Sequence, residues 1–180
     1  METINFKLAT AQSTIEWTGR KVTGSHNGTI AIKEGTLVFN DGKLSGGKVI
    51  IDTTAITILD VTDPDTNAQF AGHLASDDFF NSAQYPEALF QITAVQAGNN
   101  THRIDGNLTI KGITHAVSFD AAINITDEVV VLSGKITIDR TKYGMKFRSG
   151  NFFLNLGDTL IYNDFDLTVH ITAQRLNEAN

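Results

Sequence analysis

The stretch that decides the fold is Ile113-Thr114-His115-Ala116-Val117-Ser118-Phe119-Asp120-Ala121-Ala122-Ile123-Asn124-Ile125. Its odd positions from Val117 onward are apolar, and its even positions carry Thr114, Ser118, Asp120 and Asn124. Successive side chains of a strand point to opposite faces, so this pattern describes a strand with one buried and one wet face. Phe165 to Ala173 repeats the pattern. Phe165, Leu167, Val169 and Ile171 alternate with Asp166, Thr168, His170 and Thr172. One wet face per strand is the signature of an antiparallel sheet.

Working outward, strand-like runs cover 14–22, 28–34, 35–39, 43–58, 88–95, 102–110 and 129–140. Turn signals separate them at Glu34-Gly35, Asn40-Asp41-Gly42, Gly98-Asn99-Asn100 and Thr126-Asp127-Glu128. Ile (18), Thr (22) and Val (10) supply 50 β-branched residues of 180, a composition that suits strands. Eight or nine long strands joined by short loops predict a single all-β domain over 1–180, with an ordered core at about 10–176. An up-and-down barrel fits this order better than a sandwich, which is the other architecture such strands allow. Residues 60–85 break the alternation. A short helix is expected at 71–80, in an insertion that acts as a plug or a lid over one barrel end.

Composition closes several routes. Asp+Glu (20) outnumber Lys+Arg (14) for a net charge of −6, so the basic face that nucleic acid requires is lacking. The chain has no cysteine, which excludes disulfides, thiolate metal sites and cysteine nucleophiles. No run approaches the ~18 apolar residues of a membrane span, so an integral membrane protein is not expected. Residues 1–21 hold no apolar leader segment. A cytoplasmic location is expected if Met1 is the natural start, and a periplasmic or secreted one if a leader has been removed.

Catalytic patterns are equally sparse. There is no Gly-x-Ser-x-Gly elbow, phosphate loop or dinucleotide fingerprint. The five histidines lack metal-ligand spacing, and Asp60, Asp63 and Asp65 do not complete a calcium loop. Asp77-Asp78 read as charge at a helix N-terminus. What remains is an aromatic supply that either fills a core or lines a pocket: Phe79, Phe80, Phe90, Phe147, Phe152, Phe153 and Phe165. Two polar residues share parity with inward apolar ones, His26 with Ile30 and Ile32, and Arg140 with Ile136 and Ile138. A buried guanidinium must be paired, so Arg140 either meets an internal acid or anchors the polar head of a ligand.

These residues carry a family resemblance. His26-Asn27-Gly28, His73-Leu74-Ala75-Ser76-Asp77-Asp78-Phe79-Phe80, Tyr85-Pro86, Gly106-Asn107-Leu108-Thr109-Ile110-Lys111-Gly112 and Asp139-Arg140 with Tyr143-Gly144 resemble the YceI-like family of lipid- and polyisoprenoid-binding proteins. The resemblance implies an extended eight-stranded antiparallel lipocalin-like barrel with one short helix or lid insertion. It further implies an apolar cavity for a long isoprenoid or acyl chain, no metal, no cofactor beyond that lipid, no established catalysis, and homodimers at the level of the family. The expected function is binding, storage or transport of an isoprenoid quinone, a polyprenyl phosphate or a fatty-acid derivative. The alternatives are a stress-related or surface module with a filled barrel, and a lipid-modifying enzyme with a histidine base. The expected apolar pocket comprises Trp17, Phe39, Phe79, Phe80, Phe90, Leu108, Ile110, Val117, Phe119, Ile136, Ile138, Phe147, Phe153 and Val169. His26, His73 and Arg140 are the expected head-group contacts.

Overall fold

The computed structural model describes residues 2–149 and 160–176. Phe152 and Phe153 lie outside the described residues. Nine strands follow one another: β1 (Thr3–Leu8), β2 (Thr14–Lys21), β3 (Gly24–Asn40), β4 (Lys43–Ile58), β5 (Glu87–Ala97), β6 (His102–Ile110), β7 (Ile113–Ile125), β8 (Val129–Asp139) and β9 (Ile161–Arg175). The helix α1 (Pro64–Ala75) lies between β4 and β5.

Every pairing is antiparallel, and the sheet closes through β3 with β4 and through β9 with β2, which rules out a sandwich. Nine segments fill eight ranks. β2 bridges β3 and β9 near one end, with Ile15 opposite both Ile30 and Val169. β1 bridges the same two strands near the other end, with Phe6 opposite Leu37 and Arg175. The two run in the same direction and are separated by a 3-10 turn at Thr10–Gln12.

The alternation places the interior as read. Ile92, Leu108, Ile110, Phe119, Ile136, Ile138 and Val169 are buried, and Phe90, Val117 and Leu167 pack against them. Asp41 and Gly42 both have positive φ, 52° and 80°, which builds the tight β3–β4 hairpin.

Three expectations change. Glu34-Gly35 is no turn: β3 runs through it, with a bulge between Ile32 and Glu34. Gly35 is there for close approach, since a Cβ would stand 2.8 Å from the Lys48 carbonyl and 2.9 Å from Leu8. A strand not expected from the sequence runs over Thr3–Leu8, where Ile4, Phe6 and Leu8 form an inward stripe of their own. The helix starts seven residues ahead of the expected Ala71. Asp63 caps it by accepting from the Thr66 amide at 3.0 Å, and Pro64 opens the first turn. Asp77 and Asp78 therefore follow the helix instead of leading it.

Trp17 faces Gly28 across the β2–β3 ladder. A Cβ at Gly28 would overlap the Thr57 carbonyl and stand 2.6 Å from the indole, whereas one at Gly46 meets nothing within 4 Å. Gly28→Ala is therefore expected to cost about 3 kcal/mol or more by overpacking. Gly46→Ala should lie within about 1 kcal/mol of wild type. Urea denaturation of the two variants checks the contrast.

Candidate functional site

The barrel is packed at one end and hollow at the other. At the packed end Phe6 and Phe39 meet edge to face with ring centroids 5.2 Å apart, both nearly inaccessible. At the other end lies a chamber of about 570 Å³, within the usual range for small-molecule sites. Between them is a void of about 50 Å³, walled by Val49, Phe90, Ile92, Phe119, Leu132 and other apolar side chains. Four residues border both spaces: Ile15 of β2, Ile51 of β4, Leu108 of β6 and Leu167 of β9. They form a ring that floors the main chamber.

The helix roofs the chamber. Thr66, Gln69, Phe70, His73 and Leu74 line it, at helical spacing along one face. No residue of α1 is fully buried, because that face looks into the hollow rather than onto packed side chains. Hydrogen bonds tie the helix down instead. Asn67 donates from Nδ2 to the carbonyls of Ile58 and Val61, both at 3.0 Å. Aromatic rings complete the rim: Phe70 stacks near Trp17, and Phe79 meets Phe147 edge to face.

Both expected histidines reach the chamber, each tied to a carboxylate. His26 Nδ1 lies 2.8 Å from Asp60 Oδ2, with its ring edge-on to Phe70. His73 Nε2 lies 2.8 Å from Asp78 Oδ2, between Phe79 and Phe147. Partial burial pushes the Asp60 carboxyl upward. The Asn27 amide and the His26 ring outweigh that push and hold it below its usual range. Arg20 also lines the mouth and is paired with Asp166. Lys21 and Arg148 line it without a carboxylate partner among the described residues, and the Arg148 guanidinium lies over Phe147 at 4.9 Å.

Arg140 is buried at 3% exposure and borders the chamber, but its guanidinium is hydrogen-bonded to carbonyls and not to an internal acid. Nε donates to the Tyr162 carbonyl at 3.0 Å, one terminal nitrogen to Met145 at 2.6 Å, and the other to Ile161 at 3.0 Å. Burial pulls its pKa down, while neighbouring Asp139 opposes the shift. It braces the 3-10 turn at Arg140–Tyr143 against β9.

The remaining candidates divide by depth. Trp17, Phe79, Phe80, Leu108, Ile110 and Phe147 line the main chamber. Phe90, Val117, Phe119, Ile136 and Val169 line only the small void. Phe39 and Ile138 line neither: Phe39 is consumed by the Phe6 contact, and Ile138 is buried in the wall opposite Phe165. Phe153 is outside the described residues. The candidates omitted Phe70, Leu74, Ile30, Ile56 and Met145, all of which line the chamber. The helical spacing of Phe70 and Leu74 after the Asp63-Pro64 start signal was the available clue.

The comparisons agree with this architecture. The YceI-like domain matches residues 6–173, and the chain belongs to that family. Protein YceI of Escherichia coli strain UMN026 is 35% identical over 99 residues, covering 53% of this chain and 48% of that protein. A UPF0312 protein of Pseudomonas putida strain GB-1 is 31% identical over 99 residues, covering 54% and 49%. The match thus spans about half the length of these relatives. Among solved structures, a polyisoprenoid binding domain from Saccharophagus degradans, implicated in plant cell wall breakdown, superimposes with TM-score 0.71 at 11% identity, covering 95% of this chain and 98% of that one. BcnA of Burkholderia cenocepacia gives TM-score 0.69 at 19% identity, covering 92% and 98%. At such identities the likeness is one of fold. Among the described residues, no helix is long and apolar enough to cross a membrane, and no group of His, Asp or Glu is placed to hold a metal ion.

Arg140→Leu removes three hydrogen bonds and strands the buried Met145 carbonyl, so it should destabilise the fold by roughly 3 kcal/mol. Neutral and anionic ligands should then lose affinity together. Chemical denaturation beside paired titrations checks this. Asp60 titrates lower folded than unfolded, so its contribution is complete at neutral pH and is lost as pH falls through the folded value. Asp60→Asn should cost roughly 1 kcal/mol at pH 7, and the difference should fade below about pH 4. Urea melts across pH 3–7 read it.

Proposed function

We propose that the protein binds one long-chain apolar lipid in the main chamber and stores or carries it unchanged. The observation that carries this reading is the roofed, largely apolar chamber of about 570 Å³ inside an otherwise well-packed barrel. Each buried methylene contributes about 0.8 kcal/mol, enough for a tail to bind without polar help. A relative in fold is described as a polyisoprenoid binding domain, which supports an apolar chain as the cargo. A filled barrel is at odds with the open chamber.

The lining inverts the charge of the whole chain. Overall 20 acids exceed 14 Lys and Arg, yet the chamber is lined by Arg20, Lys21, Arg140 and Arg148 against Asp164 alone. Arg140 and Arg20 are committed to carbonyls and to Asp166, which leaves Lys21 and Arg148 to meet a head group. An anionic head, carboxylate or phosphate, suits them better than a neutral quinone.

Mass spectrometry of an organic extract of the purified protein identifies the cargo. Oleate and oleyl alcohol, which share one chain, test the head. Trp17 is the sole tryptophan and stands in the chamber wall, so its fluorescence reports binding. The double variant Lys21→Glu/Arg148→Glu is expected to weaken oleate by about tenfold or more while leaving oleyl alcohol unchanged. Equal affinities of wild type and variant for oleate would remove the anionic head. Recovery of a chemically altered lipid would favour a histidine base at His26 or His73 instead.

A further inference from the structure

We infer that Ile15, Ile51, Leu108 and Leu167 act as a ruler that sets the length of the chain this protein accepts. The inference rests on the lipid-binding reading above and goes beyond it by naming a cargo size. These four side chains, two from the adjacent strands β2 and β9 and two from β4 and β6, are the shared border of the two spaces. Ile15, Ile51 and Leu108 are buried, with exposures of 4%, 7% and 4%, so they are held by their neighbours rather than swung aside. Beyond them the barrel offers only about 50 Å³ before the Phe6–Phe39 plug.

A methylene takes about the space of a water, ~30 Å³, so the chamber of about 570 Å³ admits on the order of nineteen chain carbons. The void below the ring adds space for only one or two more, about 50 Å³ at the same ~30 Å³ each. The cargo class is therefore a chain on the order of twenty carbons, whether fatty-acyl or a short prenyl, with its head at the mouth. A chain of twice that length would leave half its carbons in water and gain nothing from them.

Straight-chain fatty acids from twelve to twenty-six carbons, titrated against Trp17 fluorescence below their micellar concentrations, read the ruler directly. For wild type, affinity should rise about fourfold per added methylene and then level off at about twenty carbons. Leu108→Ala joins the chamber to the void, so the plateau should move up by about four carbons. Leu167→Ala, at a half-buried ring position, should move it in the same direction and serves if Leu108→Ala does not fold. Ala88→Phe adds bulk beside the ring, opposite Ile51, and should move the plateau down. Affinity that climbs through twenty-six carbons in wild type, or a plateau that stays in place in the folded variants, overturns the ruler while leaving lipid binding intact. Absence of binding at every length overturns the lipid-binding reading itself.

Discussion

The hollow depends on closure of the sheet, and closure depends on one rank made of two pieces. β3 and β9 are too far along their own lengths to be joined by a single short strand. β2 therefore joins them at the open end and β1 at the packed end. With both in place the sheet closes on itself, although β7 and β8 pair with each other only over Ala121–Ile125 and Val130–Gly134. The break between the pieces lets Phe6 and Leu8 turn into the packed end while Ile15 and Trp17 face the hollow.

The two ends then differ through side-chain volume. At the packed end, aromatic and branched residues from opposing walls meet across the axis. At the open end the wall residues include Gly19, Ala88 and Ile30, which line the hollow. Four polar side chains at that end are paired before any ligand arrives: His26 with Asp60, His73 with Asp78, Arg20 with Asp166, and Arg140 with three carbonyls. Such pairing keeps the rim ordered around an apolar interior, since unpaired buried charge is expensive.

Strand identity and facing were legible because alternation is a local property. Val117, Phe119, Ile136 and Val169 lie inside as their parity demanded. Depth along the axis was not legible. Phe39 and Phe119 share the inward sense with Leu108, yet they lie at the plug, at the void and at the ring, and no local pattern ranks them. Arg140 shows the same limit for partners. Its inward sense was readable, but its acceptors come from a turn after it and from a strand twenty-one residues on. The aromatic pair Phe79-Phe80 drew the expected helix toward itself, whereas the cap at Asp63 and Pro64 marked the true start.

The roof helix has a thermodynamic consequence. Its inner stripe of Phe70 and Leu74 has no packed layer beneath it, so the empty protein lacks part of its own core. A molecule that fills the chamber supplies that layer and is linked to folding by mass action. The helix would thus gain local stability when the chamber is filled. If a lipid fills the chamber as proposed, proteases that sample local opening at this helix would attack empty copies ahead of filled ones.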